Sequence, residues 1–220
     1  MNKTIRDQAA PRKKAARRTE PPEVRRSQLI DATIESIAAY GIGGTTMSTV
    51  TEIAGLSVGL VNFHFENKQN LLEETLVFLA REHHEHWKQA YMDAGLSAQE
   101  KLLAIVDAHF HPRICTRKKL AVWYAFFGEA GRRKVYRKLI DGIDDERFDL
   151  SIGLCEEIIR DGGYDVPPAS VIARMLEGLY DGLQLNILMY PGHITRKQAN
   201  NQIRAYLASV FPQHIAAPAF

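Results

Sequence analysis

Apolar residues recur at intervals of three and four along nearly the whole of this chain, and strict alternation never persists. Spacing of three and four lines up side chains on one face of an α-helix, whereas a strand needs a period of two. The implied fold class is all-α, with about nine helices and no internal repeat. Leu29, Ile30, Thr33, Ile34, Ile37 and Tyr40 share one face of a helix over 24–40. Gly41 follows, a residue that tolerates the left-handed conformation in which helices end. Ser97-x-x-Glu100 forms a capping box ahead of Leu102, Leu103, Ile105, Val106 and Phe110, and Pro112 closes that segment. A long helix over 132–161 runs into Gly162-Gly163. Pro167-Pro168 opens another, which carries Ile172, Met175, Leu176, Leu179, Leu183 and Ile187 and stops before Pro191. Thr195-x-x-Gln198 caps a last helix bearing Ala199, Ile203, Leu207 and Val210.

At 220 residues and 45% apolar, the chain can bury a real core, and its formal charge of +2 is too small for a disordered polyelectrolyte. It has no apolar run of membrane-spanning length and no apolar signal core behind its basic start, so a soluble, cytoplasmic protein is expected. Two cysteines, Cys115 and Cys155, are too few for a disulfide scaffold. Phosphate-binding loops, dinucleotide fingerprints and nucleophile elbows are missing. Gly41-Ile42-Gly43-Gly44 follows a helix rather than a strand and reads as a loop. Neither catalysis nor a cofactor is expected.

The small net charge hides an asymmetry. Residues 1–26 hold nine bases and three acids, a balance of +6, so the remaining 194 residues carry −4. A basic, proline-containing arm over 1–22, expected to be disordered, points to a polyanion at one end of the molecule.

Residues 45–68 carry the functional signal. Thr46 can cap a short helix with Met47, Val50 and Ala54 inward. Gly55 permits a tight turn, Leu56 plugs the angle, and Ser57 caps a second helix over about 58–64 that buries Val61 and Phe65. Val58, Gly59, Leu60, Asn62, Phe63 and His64 remain exposed or half-exposed. Helix, glycine turn, helix is the helix-turn-helix pattern, whose second helix fits the DNA major groove. An ordinary helical hairpin fits the lengths equally well; the order of residues separates the two. Thr46, Ala54-Gly55-Leu56-Ser57, Gly59, His64-Phe65 and Lys68, followed by Leu71-Leu72, resemble the DNA-binding domain of the tetracycline-repressor (TetR) family. Arg25-Arg26-x-Gln28-Leu29-Ile30-x-Ala32-Thr33, the segment Leu120 to Ala130 and the segment Leu176 to Leu183 resemble its choline-responsive, BetI-like branch. The sequence departs from the family at Asn62, where many members have Tyr, and at Phe63-His64, where the branch often has His then Tyr. The operator sequence therefore does not carry over.

The resemblance implies a DNA-binding domain over 23–68 and a ligand-binding, dimerising domain over 69–220. Its partners would be a double-stranded palindromic operator, a small-molecule inducer and a second copy of the chain. Thr46 and Lys68 match the family's phosphate-contacting positions, and Ser57 caps a helix N-terminus that favours phosphate. Asn62 and His64 can hydrogen-bond bases or phosphates, and Val58, Leu60 or Phe63 can meet a thymine methyl group. Trp87, Phe110, Trp123, Tyr124, Phe127 and Tyr180 are the candidate aromatics for holding a quaternary ammonium, with Glu129 or Asp181 adding charge. Leu179, Leu183, Ile187, Ile203 and Leu207 are the candidate dimer face. One alternative is a metal-responsive regulator, because His83 and His86 sit on neighbouring helical positions near His84, His109 and His111.

Overall fold

The computed structural model describes residues 20–129 and 131–219. Most of the expected basic arm, residues 1–19, lies outside them. Among the described residues there are nine helices and no strand: α1 (Pro22–Gly44), α2 (Met47–Ala54), α3 (Val58–Phe65), α4 (Lys68–Tyr91), α5 (Ala98–His109), α6 (Arg117–Gly128), α7 (Arg133–Gly162), α8 (Ala169–Met189) and α9 (Arg196–Val210). None of these is long and apolar enough to cross a membrane.

Local signals set the boundaries. Pro22, with its fixed φ, stands at the first helical position of α1. Glu100 accepts from the Ser97 backbone N–H (2.8 Å) and hydroxyl (2.6 Å) at the head of α5. Gly163 ends α7 in the left-handed region. Gly41 breaks α1 as expected, at φ 69°, but one more turn follows the kink. That extra turn is held by Thr45, whose backbone N–H and hydroxyl both donate to the Gly41 carbonyl (3.1 and 2.9 Å). It carries Ile42 into the core in place of Tyr40, which is 60% exposed rather than inward. Met175 is a second correction. It is 51% exposed, because the inward face of α8 runs through Ile172, Leu176, Tyr180, Leu183 and Ile187.

Two apolar cores form. The first joins α1, α2, α3 and the start of α4 through Leu29, Ile34, Val50, Val61, Phe65 and Leu76, and it continues past residue 68 to Ala80 and takes in Tyr136 and Ile140 of α7. The second joins the end of α4 to α5, α7, α8 and α9 through Trp87, Leu102, Ile158, Leu176, Ile203 and Phe211. Helices α6 and α7 belong to both. Leu120 packs in the second core, whereas Val122 and Phe126 are fully buried in the first.

Candidate DNA interface and ligand cavity

The helix-turn-helix is built from reciprocal caps. The Thr46 hydroxyl accepts from the Thr49 N–H (3.0 Å), and the Thr49 hydroxyl accepts from the Thr46 N–H (2.9 Å). Threonine thus fills the role that glutamate takes in the usual capping box. Gly55 ends α2 in the left-handed region (φ 64°), and the Leu56 N–H returns to the Thr51 carbonyl (3.0 Å). Ser57 caps α3 by accepting from the Leu60 N–H (3.3 Å). Val50, Val61 and Phe65 are buried, with Met47, Ala54 and Leu56 packed half-buried against the same core.

What α3 leaves outside is the candidate recognition surface. Val58, Gly59 and Asn62 are exposed, Leu60 and His64 half-buried, and Phe63 is 76% exposed. Phe63 is therefore not a packing residue. Thr46 and Ser57 are also exposed. Lys68 is half-buried at the start of α4, where its ammonium donates to the Ile42 carbonyl (2.8 Å). It ties α4 to the kinked end of α1 while two of its three donors remain.

A second site lies between α4, α5, α6, α7 and α8, in a cavity of about 160 Å³. Helix α6 lines one wall with Trp123, Tyr124 and Phe127; α8 adds Tyr180, Asp181 and Gln184. Four of the six expected aromatics thus line the cavity. Trp87 and Phe110 do not: both are locked inside the second core, where their rings fill space between helices. Of the two expected acids, Asp181 lines the cavity and Glu129 does not.

The cavity also holds groups that periodicity did not single out. Arg147 is buried and paired through Nη2 with Glu177 (2.5 Å) and through Nη1 with Asp144 (3.3 Å). Three carboxylates, those of Asp144, Glu177 and Asp181, face one guanidinium. Burial raises the Asp144 and Asp181 pKa values above the usual carboxylate range, with Arg147 opposing the rise in both. His83 and His109 complete the wall, and burial drives both pKa values down, that of His83 to about 3. Both imidazoles are neutral at pH 7, so the lining has a formal excess of negative charge. Glu177 lies in the segment Leu176 to Leu183 that resembles the BetI-like branch, whereas Arg147 is marked in the sequence only as a charge within a mixed charged and apolar helix.

Two expectations meet a different geometry. Ile203 and Leu207 are 0% exposed, while Leu183 and Ile187 are also buried and Leu179 packs against the same core. These five side chains hold the chain's own helices together, so they leave no apolar face for a partner. His83 and His86 diverge: His83 packs on His109 (ring centroids 4.5 Å) and His86 on His111 (4.0 Å). Among the described residues no three His, Cys, Asp or Glu groups converge as a metal ion needs.

Residues 29–75 match the family described as bacterial regulatory proteins, tetR family, and residues 98–212 match BetI-type transcriptional repressor, C-terminal. The HTH-type transcriptional regulator BetI of Burkholderia thailandensis is 30% identical over 187 residues, covering 84% of this chain and 92% of its own. A transcriptional regulator from Pseudomonas aeruginosa PAO1 shares 27% identity with a TM-score of 0.75, covering 89% of this chain and 94% of its own. A regulator from Saccharomonospora viridis, solved in complex with choline, has the same fold at 19% identity and a TM-score of 0.69, covering 84% of this chain and 96% of its own.

Proposed function

Because the chain belongs to the TetR family of bacterial transcriptional regulators and has a BetI-type C-terminal half, we propose that it is a dimeric operator-specific repressor released by a small quaternary ammonium compound of the choline class. The relatives are transcriptional regulators rather than enzymes. The observation that carries the ligand reading is the cavity beside α6. Trp123, Tyr124 and Phe127 offer aromatic faces, and three carboxylates outnumber one already paired guanidinium. A cation entering there gains cation–π attraction and answers the excess negative charge. The choline complex of the Saccharomonospora viridis regulator, a chain of the same fold, supports this choice.

On the DNA side, α3 enters the major groove with Asn62, Phe63 and Val58 toward the base edges. Thr46, Ser57 and Lys68 sit at helix starts where phosphate is favoured. One such unit reads few base pairs, so a two-fold dimer on a palindrome is required, its half-sites spaced about 34–36 Å or a multiple. Such a regulator works on DNA in the cytoplasm.

Helix α6 is one physical link between the sites. Trp123 lines the cavity and also packs against the core that contains α2 and α3. Lys119 ties α6 to Glu82 of α4 (2.5 Å), and Lys118 ties it to Glu35 of α1. A ligand that displaces α6 therefore shifts α1 and the separation of the two recognition helices. Operator affinity falls by the ligand's differential affinity for the two arrangements.

Selection of bound sites from random DNA by the purified protein, with and without choline, tests the reading. Enrichment of palindromes that choline depletes is expected. Recovery of no sequence preference would overturn the repressor assignment, and palindromes indifferent to choline would overturn the ligand class alone.

A further inference from the structure

Resting on that cationic reading, we propose that His83 and Tyr180 form a subsite for a neutral hydroxyl group on the ligand, so that the cavity selects a compact cationic alcohol over cations that lack the hydroxyl. Two polar atoms carry the proposal. The His83 Nε2 and the Tyr180 hydroxyl oxygen are both enclosed, both belong to residues lining the cavity, and neither has a hydrogen-bond partner among the described residues. Buried polar groups in folded proteins are nearly always paired, and leaving one without a partner is costly. Two such atoms in one small cavity point to a polar group supplied from outside the chain.

The pair is held in place. His109 lies between them, stacked flat on Tyr180 (centroids 3.6 Å, interplanar angle 5°) and edge-on to His83 (4.5 Å, 79°). His109 is itself fixed by the hydrogen bond from its Nδ1–H to the Ile105 carbonyl (2.9 Å). The rings of α4, α5 and α8 therefore form one stack whose polar edges cannot easily turn away.

The chemistry of the lining selects the group. A neutral imidazole offers Nε2 as donor or acceptor according to tautomer, and a phenol both donates and accepts. A hydroxyl does both as well, so it complements either atom. A carboxylate fits poorly, since it would enter beside Asp144, Glu177 and Asp181 while the guanidinium of Arg147 is already paired with two of them. Burial keeps His83 uncharged, so it does not repel a cation a few ångströms away. A cavity of about 160 Å³ has room for a compact molecule, being close to the roughly 150 Å³ engineered cavity that holds benzene.

Calorimetric titration of the full chain with choline and with ethyltrimethylammonium, which differs only by the missing hydroxyl, tests the subsite. The wild type should bind choline at least tenfold more tightly. Tyr180→Phe should remove most of that preference by weakening choline alone, and His83→Leu should do likewise. His83→Gln, which places an amide near the original Nε2, should restore part of it. Equal binding of the two cations by the wild type would overturn the subsite and leave the cationic reading intact. So would equal losses for both cations in Tyr180→Phe, the mark of a purely structural ring. Failure of both cations to bind the wild type would overturn the cationic reading and the subsite with it.

Discussion

Phe63 is the residue whose position says most about the DNA interface. A phenylalanine left 76% exposed on an eight-residue helix contributes almost nothing to the core. Its neighbours Val61 and Phe65, two positions either way, are the ones that pack. Replacing Phe63 with Ala should therefore change unfolding free energy by no more than about 0.5 kcal/mol, while operator affinity falls at least tenfold. Urea unfolding and a fluorescence anisotropy titration measure the two quantities. A stability loss as large as a core truncation would mean that Phe63 packs, and unchanged DNA affinity would remove it from the interface. The inward positions of this unit were legible from spacing alone, because Val61 and Phe65 keep the helical period. The caps were legible because Thr46 and Ser57 offer side-chain oxygens to otherwise unpaired N–H groups. The fate of Phe63 was not, since periodicity cannot tell a groove-facing aromatic from one packed at the margin of a core. The tether from Lys68 to Ile42 was hidden for another reason: it spans 26 residues and depends on the kink at Gly41.

At the scale of elements, the proposed coupling of ligand to DNA rests on α6. Its positions alternate between two neighbours, with Trp123, Tyr124 and Phe127 on the cavity and Val122 and Phe126 in the core of the helix-turn-helix domain. Trp123 reaches both, so trimming it should loosen the link. In Trp123→Phe, the ratio of operator affinities without and with saturating choline should shrink about fivefold, roughly 1 kcal/mol of coupling. Linkage makes the effect reciprocal: the change that operator DNA imposes on choline affinity must shrink by the same factor. If the two ratios stay at their wild-type values, the signal travels by another element. Elsewhere, helix existence was easy to read and helix faces were not. The caps Ser97 and Thr195 and the stop at Gly163 are local features. The roles of α8 are tertiary. It serves the second core, the cavity and an outer surface at once, so a pattern that looked like one apolar face divides into three. Leu183 and Ile187 went to the core and Met175 to the outside. Arg147 and Glu177 became a buried pair between α7 and α8 that no local pattern announces.

For the molecule as a whole, charge and assembly must be considered together. Residues 20–68 hold three bases (Arg25, Arg26, Lys68) against six acids (Glu20, Glu23, Asp31, Glu35, Glu52, Glu66), a balance of −3. Residues 1–19 hold seven bases against one acid, a balance of +6. The helix-turn-helix domain therefore presents little attraction of its own to DNA, since the positive charge lies ahead of it, and the proposed pairing of two copies answers the need for a longer read sequence. The outer surface of α8 is suited to that pairing. Val171, Met175, Gly178, Gly182, Leu185 and Met189 are all exposed and follow one another at intervals of four, three, four, three and four, the repeat of a helix–helix seam. Gly178 and Gly182 lie at its centre, and a Cβ built on either meets nothing within 4 Å, so a second α8 can approach the backbone closely there. The apolar residues on either side would be covered by the same contact. Met175→Glu with Leu185→Glu places four carboxylates in the paired seam and removes nothing from the core. The double variant should sediment and scatter light as a folded monomer, with its helical circular dichroism retained. Its affinity for a palindromic operator should fall by about a hundredfold or more, since each half-site then loses the effective concentration that its neighbour supplies, whereas the already weak binding to an isolated half-site should change little. A variant that remains dimeric would move the seam to another face of the molecule. A monomer that still binds the palindrome at wild-type affinity would show that pairing is not what gives this protein its grip on DNA.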